Sequence, residues 1–284
     1  MTGERMPKRE MVLRGYTGLV LAFVLAPLLI VAVNSINPEA YSIFPPKAVS
    51  LRWYFHLFTQ GQFGFAFKNS LIVAAATTIV SLVLGTLASL ALVRYRFLGR
   101  DLLRSFFLSP VVIPKIVLGV SLFILLVRLD IYGNLTSLVL AHSVVCMPYV
   151  IAVVSASLVS LDRTLEEAAM DLGARPFTIF WKIIMPQIST GLIVAGLFAF
   201  IISFDQVETS LFLVRPENNT LPIEMFLYME KWQDPTIAAL STLLILGTFL
   251  LVLSVNLFLK GVDLSKFVGG ARGGESAGPP GADR

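Results

Sequence analysis

Apolar residues run almost unbroken through six stretches of this chain, and polar residues are confined largely to the intervals between them. The stretches are Gly15–Val33, Ser70–Val93, Phe106–Val127, Leu135–Val159, Ile188–Phe204 and Thr236–Leu259. A helix needs roughly 20 predominantly apolar residues to cross a bilayer, so each is read as a transmembrane helix. The fifth is the shortest, and its pattern leaves open a continuation past Asp205 through "QVETSLFLV". Lys8, Arg9 and Arg14 precede the first, as in a secretory signal. Its apolar core is too long for one, and "VNSINPE" offers no small-residue cleavage site, so a retained anchor is expected.

The intervals are less regular. Residues 1–14 form a short basic segment, and 34–69 a long loop in which "LRWYFHLF" (51–58) reads as an interfacial helix with aromatic anchors. Residues 70–260 hold the main transmembrane body, interrupted by a polar loop at 160–187. The Gly/Pro-rich tail 261–284 cannot bury a core and is expected to be disordered. No internal repeat stands out.

Composition agrees with a membrane solvent: only 14% of residues are charged, where soluble domains carry about a quarter. Lys and Arg number 22 against 18 acids. In a soluble protein that excess would hint at nucleic acid; here it orients the chain, because basic residues collect in cytoplasmic loops. Fifteen of them fall on the side that holds both termini, the second loop (Arg94, Arg96, Arg100, Arg104) and the fourth (Arg163, Arg175, Lys182). Six fall on the other, and Lys115 lies within a span. Both termini are therefore expected in the cytoplasm, with lipid around the spans and no nucleic-acid partner.

Candidate chemistry is sparse. His56 lies far from His142 and Cys146, so no metal-ligand cluster is expected, and one cysteine cannot form an intrachain disulfide. No G-x-x-x-x-G-K-[ST] occurs, so the chain has no Walker loop for ATP phosphates. No catalytic constellation stands out. His142, alone in an apolar span, reads as a hydrogen-bonded packing residue and Cys146 as core.

The exception to the pattern is "EEAAMDLGARPFTIFWKIIMP", residues 166–186. Thr164 and Glu167 have the spacing of a capping box, which predicts a helix from Thr164. Leu165, Ala168, Ala169 and Leu172 then share one narrow stripe, and Gly173 suits the left-handed position that ends such a helix. A second helix is predicted after Pro176, with Phe177, Phe180, Trp181 and Ile184 on one face and Pro186 as its stop. Read alone, these are two short helices meeting at a glycine. They are either a plain connector or a plug for a partner.

The whole spacing favours the plug. Glu167-Ala168-Ala169, Gly173, Ile183 and Met185-Pro186 resemble the EAA signature of the membrane-spanning subunits of binding-protein-dependent ABC importers, with Met where that signature has Leu. The resemblance covers roughly residues 66–260; "SPVVIPKIVLGVSLFILL" (109–126) and "SFDQVETSLFLVRPENNTLPIEMF" (203–226) are similar to the spermidine/putrescine branch. It implies an all-α protein of six spans with type I importer permease architecture, in the bacterial inner membrane. It implies that Glu167, Ala168, Ala169, Gly173 and Pro186 form a coupling site on a separate ATPase, which binds ATP and magnesium, so this chain has no catalytic residue or cofactor of its own. The implied partners are two ATPase subunits, a second permease (like or unlike) and an extracytoplasmic substrate-binding protein. The implied solute is a polyamine, with an opine, phosphonate or amino-acid-like compound as alternatives.

Ionisable groups near a span mark candidate paths. Lys115 is the one basic residue deep in a span. Asp205 and Glu208 stand one helical turn apart, so on one face if the fifth helix continues. Asp205, which directly ends the apolar run, is expected to be the nearer contact for a cationic solute. The bland alternative solvates both acids at the outer interface and lets Lys115 snorkel. An ion-coupled transporter using the same three groups is the rival mechanism.

Overall fold

The computed structural model describes residues 8–41 and 45–261, and all their regular structure is helical. The expected disordered tail from 262 onward lies outside the described residues, as do residues 1–7. In order, the α-helices are α1 Lys8–Ser35, α2 Arg52–Thr59, α3 Gly61–Arg94, α4 Arg100–Val112, α5 Lys115–Arg128, α6 Leu135–Val159, α7 Thr164–Asp171, α8 Pro176–Ile179, α9 Met185–Gln187, α10 Ser189–Phe204, α11 Leu221–Lys231 and α12 Thr236–Gly261. Residues Phe180–Ile184 make a π-helical turn between α8 and α9, and single 3₁₀ turns sit at Ser210–Phe212 and Pro216–Asn218.

The chain divides into two compact units, 1–59 with 233–284 and 60–232. In the first, α1 and α2 both pack on α12. Trp53 and Leu57 of α2 are buried while Phe55 and Phe58 are exposed. The Trp53 indole donates to the Asn37 carbonyl at 2.7 Å, so part of the expected aromatic anchor is structural.

The second unit is built on α3, which packs against α6 and α10. Thr77, Ser81, Gly85 and Ser89 recur every four residues on its buried face. Lipid gives two apolar helices no hydrophobic reason to associate, so small residues that permit close approach supply the packing. A Cβ at Gly85 would lie 2.6 Å from Val150 Cγ1 of α6, closer than carbon atoms tolerate.

Of the expected spans, α1, α3 and α6 are each long and apolar enough to cross a membrane as single helices. Two others are bent. The apolar pattern predicts one helix over Phe106–Val127 for the third, but α4 and α5 meet at 110°. The cause is local: Pro114 disfavours helical geometry in its predecessor, and Ile113 is extended at φ −74°, ψ 131°. The segment Pro176–Gln187 likewise meets α10 at 74°. The continuation of the fifth span past Asp205 that the pattern leaves open does not occur, since α10 ends at Phe204.

Candidate coupling site and candidate solute path

The polar loop forms α7 and the α8–α9 segment, as its sequence predicts, but by different local means. Helix α7 starts at Thr164 without a capping box: its N-cap position is Arg163, in helical geometry, and no side chain caps it. Instead the Asp162 carboxylate accepts the Thr164 N–H at 3.0 Å. That bond, with a second from the Thr164 side chain, holds the Asp162 carboxyl below the usual carboxylate range.

The C-terminal end is as predicted. Gly173 is left-handed at φ +81°. Its N–H donates to the Met170 carbonyl at 2.9 Å and the Ala174 N–H reaches the Ala169 carbonyl at 2.9 Å, the paired bonds of a Schellman ending.

The expected stripe on α7 does not act as one face. Ala169 is half-buried against the core with Ala174, while Leu165, Ala168 and Leu172 are exposed, Leu172 almost fully at 90%. Glu167 is exposed as well, and the inward residue is Glu166. In the next segment Phe180 and Ile184 turn inward with Ile179, but Phe177 and Trp181 face outward at 74% and 52%. The inward side is set by Ile179, Phe180, Ile183 and Ile184, which at helical spacing leaves Phe177 and Trp181 on the outer side; a π turn follows. Pro186 has no N–H and its ring would strike the carbonyl four residues earlier; the Met185 N–H reaches back five residues, to Phe180, which widens the turn and rotates the residues after it. Pro186 thus lies within the last helical turn, exposed, and does not stop the helix before it.

Sequence reasoning missed how this loop is held. Arg94, the last residue of α3, meets Glu166 with Nη2 to Oε1 at 2.5 Å, both side chains nearly buried. Arg163 donates to the Val93 carbonyl at 3.1 Å and Arg100 to the Leu92 carbonyl at 2.6 Å. Three arginines therefore gather where the helix dipole leaves partial negative charge. The only sequence signal was an acid beside the EAA-like motif; its partner lies 72 residues away.

At the far end of the unit, α10 gives way at Asp205 to an irregular segment reaching α11. Because the helix has ended, Asp205 and Glu208 do not share a helical face, contrary to the spacing argument. Asp205 is exposed. Lys115 is the first residue of α5, at the corner of the bent pair, with its side chain 45% exposed. Its Nζ stands 3.9 Å from Glu208 Oε1. Gln206, buried, donates from Nε2 to Glu208 Oε2 at 3.2 Å and to Thr209 Oγ1 at 3.1 Å.

His142 of α6 anchors this segment. Its Nε2 lies 2.8 Å from Ser210 Oγ and its Nδ1 2.9 Å from Ser203 Oγ. The Ser210 hydroxyl donates to the Gln206 carbonyl at 2.8 Å, so it accepts from Nε2–H and leaves Nδ1 to accept from Ser203. This is the packing role its isolation in an apolar span predicts. Cys146 is likewise buried in the core, and no group able to hold a metal ion forms among the described residues.

The fold is that of a bacterial ABC transporter involved in import of the acidic polysaccharide alginate, one chain of which superposes at a TM-score of 0.69 and 15% identity, over 91% of this chain and 99% of that one. That likeness gives the fold of a helical membrane protein with broken spans and a short exposed helix pair. The chain belongs to the family described as binding-protein-dependent transport system inner membrane component, which matches residues 81–264. It is 30% identical to the spermidine/putrescine permease protein PotC of Shigella flexneri, over 90% of this chain and 96% of that one. It is 34% identical to the putrescine permease protein PotI of Escherichia coli K12, over 78% and 82%. The sulfoquinovosyl glycerol permease protein SmoH of Agrobacterium fabrum is 26% identical over 91% and 95%.

Proposed function

We propose that this inner-membrane permease subunit supplies half of the path by which an ATP-driven importer takes up a small cationic solute of the polyamine class. The observation that carries the substrate is the similarity to PotC along nearly the whole of both chains. The ATP and magnesium are held by a separate ATPase, two copies of which serve the permease pair, one seated against the α7 pair of each permease. What supports that seat is a surface otherwise wasted: Leu165, Ala168, Leu172, Phe177 and Trp181 are exposed in a loop that cannot span the bilayer, and exposed apolar patches mark partners. A second permease, like or unlike, and a secreted binding protein complete the assembly. Both termini lie in the cytoplasm, and α12 is the sixth span.

At the solute end, Glu208 and Asp205 are the candidate contacts for an ammonium group. Lys115 is the group that pairs with Glu208 while no solute is bound. The presence of Lys115, and the likeness to SmoH, favour a second reading in which the solute carries an anionic or uncharged polar group. The test is uptake of radiolabelled putrescine by proteoliposomes holding the full complex, with ATP inside and the binding protein outside. Uptake that needs ATP and is competed by spermidine supports the proposal. Uptake collapsed by dissipating ion gradients while ATP is present would point to the ion-coupled rival.

A further inference from the structure

The coupling surface faces outward, so its motion has to reach the solute end through contacts on its inner side. Most of those contacts are apolar, with Ala169, Ile179, Phe180 and Ile184 resting on the core, and the polar ones are few. Helix α7 is bonded to the body by Glu166 to Arg94 and by the neighbouring Arg163 to the Val93 carbonyl, and both partners end α3. Arg94 Nε is buried with no partner among the described residues, so the guanidinium rests largely on Glu166. The opposite end of α3 is also bonded. Asn69 Nδ2 donates to the Asn219 carbonyl at 3.0 Å, and Ser70 Oγ accepts the Leu221 N–H at 2.8 Å, all buried. These residues close the irregular segment that begins at Asp205 and carries Glu208. Between Ser70 and Arg94 the helix is continuous, a distance of roughly 36 Å at 1.5 Å per residue.

We propose that α3 is the element that carries coupling through this subunit, and that Arg94 and Glu166 are the positioning residues that join it to the coupling helix. A helix resists stretching and bending far better than the loops beside it. A pair buried at 2.5 Å transmits displacement in either direction, where an exposed pair would be screened and would slip. When the partner moves α7, Glu166 moves Arg94, α3 shifts along the small-residue faces of its neighbours, and Asn69 and Ser70 shift the segment at 219–221. This rests on the ATPase-coupling reading above and adds the route.

The experiment reads the far end directly and needs no knowledge of the solute. Cys146 is buried and Glu217 is exposed beside the segment, so Glu217→Cys is the reporter for a water-soluble maleimide in the assembled complex. Its labelling rate should change about fivefold or more between the nucleotide-free and the ATP–vanadate states, as a coupling of ordinary strength requires. Glu166→Gln and Arg94→Gln should each abolish that change while the ATPase still co-purifies and hydrolyses ATP. The exchange Arg94→Glu with Glu166→Arg should restore it. Singles that keep the nucleotide-dependent change would overturn the proposal. Should a single variant fail to assemble, the charge exchange decides: a complex that assembles and responds supports the joint, and one that does not respond overturns it. A wild-type chain that retains no ATPase is a different result, since it removes the coupling reading and not the route.

Discussion

The two ends of the second unit are built from similar short irregular pieces, yet they are held in opposite ways. At the coupling end, α7 and its neighbour expose large apolar side chains and bury an ion pair beneath them. At the solute end, apolar and neutral polar groups are buried, while the Lys115–Glu208 pair is nearly half-exposed and stands at 3.9 Å. A close buried pair is costly to break, about 3–5 kcal/mol when one partner is removed. A loose exposed pair is worth about 0–1 kcal/mol. The first arrangement suits a joint that must not slip, the second a contact that has to be exchanged for a ligand.

The largest effect is expected where the coupling end departs most from ordinary backbone. Gly173→Leu places a side chain at φ +81°, which costs roughly 1–2 kcal/mol. No atom of the unit lies within 4 Å of a Cβ there, so this chain alone would tolerate the volume and the remaining penalty falls on the seated partner. ATP-driven uptake should be lost while membrane insertion persists. Gly173→Asn, which accepts the left-handed region, should transport close to wild type. Equal uptake by the leucine and asparagine variants would show that the corner is not seated.

Next in size is the solute end. Glu208→Gln removes the carboxylate that Lys115 and Gln206 both address, and a hydrogen bond to a charged group is worth about 1.5–3 kcal/mol. The putrescine concentration for half-maximal uptake should rise about tenfold or more by that measure. Asp205→Asn should raise it less, because Asp205 is exposed and its interaction with a cation is screened. The reverse ranking would make Asp205 the principal contact, as its position at the end of the apolar run suggests. Lys115→Met should have a smaller and opposite effect, lowering that concentration by up to about fivefold, since the pair it breaks is worth no more than about 1 kcal/mol.

Legibility divided along the same line. The long spans and the left-handed Gly173 were readable because hydrophobic length and glycine geometry are local properties. The bend at Ile113–Pro114 was readable too, since a proline such as Pro114 inside an apolar run is expected to kink its helix, although apolar continuity through Phe106–Val127 hid how sharp it is. Asp205 and Glu208 pair by a helical rule that holds only inside a helix, and α10 ends at Phe204, before either of them. The face of Phe177–Ile184 departs from its pattern because the core takes up Ile179 and Ile183 beside Phe180 and Ile184, and apolar residues lie on both sides of this short helix. Arg94 with Glu166, and Asn69 with Asn219, could not be read at all, since they join residues 72 and 150 positions apart. At the coupling end the motif mixes outer residues such as Glu167 and Ala168 with inner ones such as Ala169 and Ile183, whereas the ion pair with the body is carried by Glu166 just before it.

The smallest effect concerns how α7 begins. A capping box would make Thr164 and Glu167 the residues that hold its first turn, whereas the structure gives that role to Asp162. Asp162→Ala should speed amide hydrogen exchange at Thr164 several-fold and leave uptake almost unchanged, because the Glu166–Arg94 pair still holds the helix. Thr164→Ala should have a lesser effect on the same amides, removing only the side-chain contribution. The pH dependence comes from the direction of the shift. Hydrogen bonds from Thr164 hold the Asp162 carboxyl below its ordinary value, so the folded state binds its proton less readily than the unfolded chain does. Its contribution is therefore full above the unfolded value and is lost only as pH falls through the lower, folded one. Between about pH 6 and 8 the protection of Thr164 should not vary through Asp162; below about pH 4, the ordinary carboxylate value, it should fall in the wild type but not in Asp162→Asn, which keeps an acceptor without a titrating group. Protection that fell equally in both would assign the start of α7 to some other group.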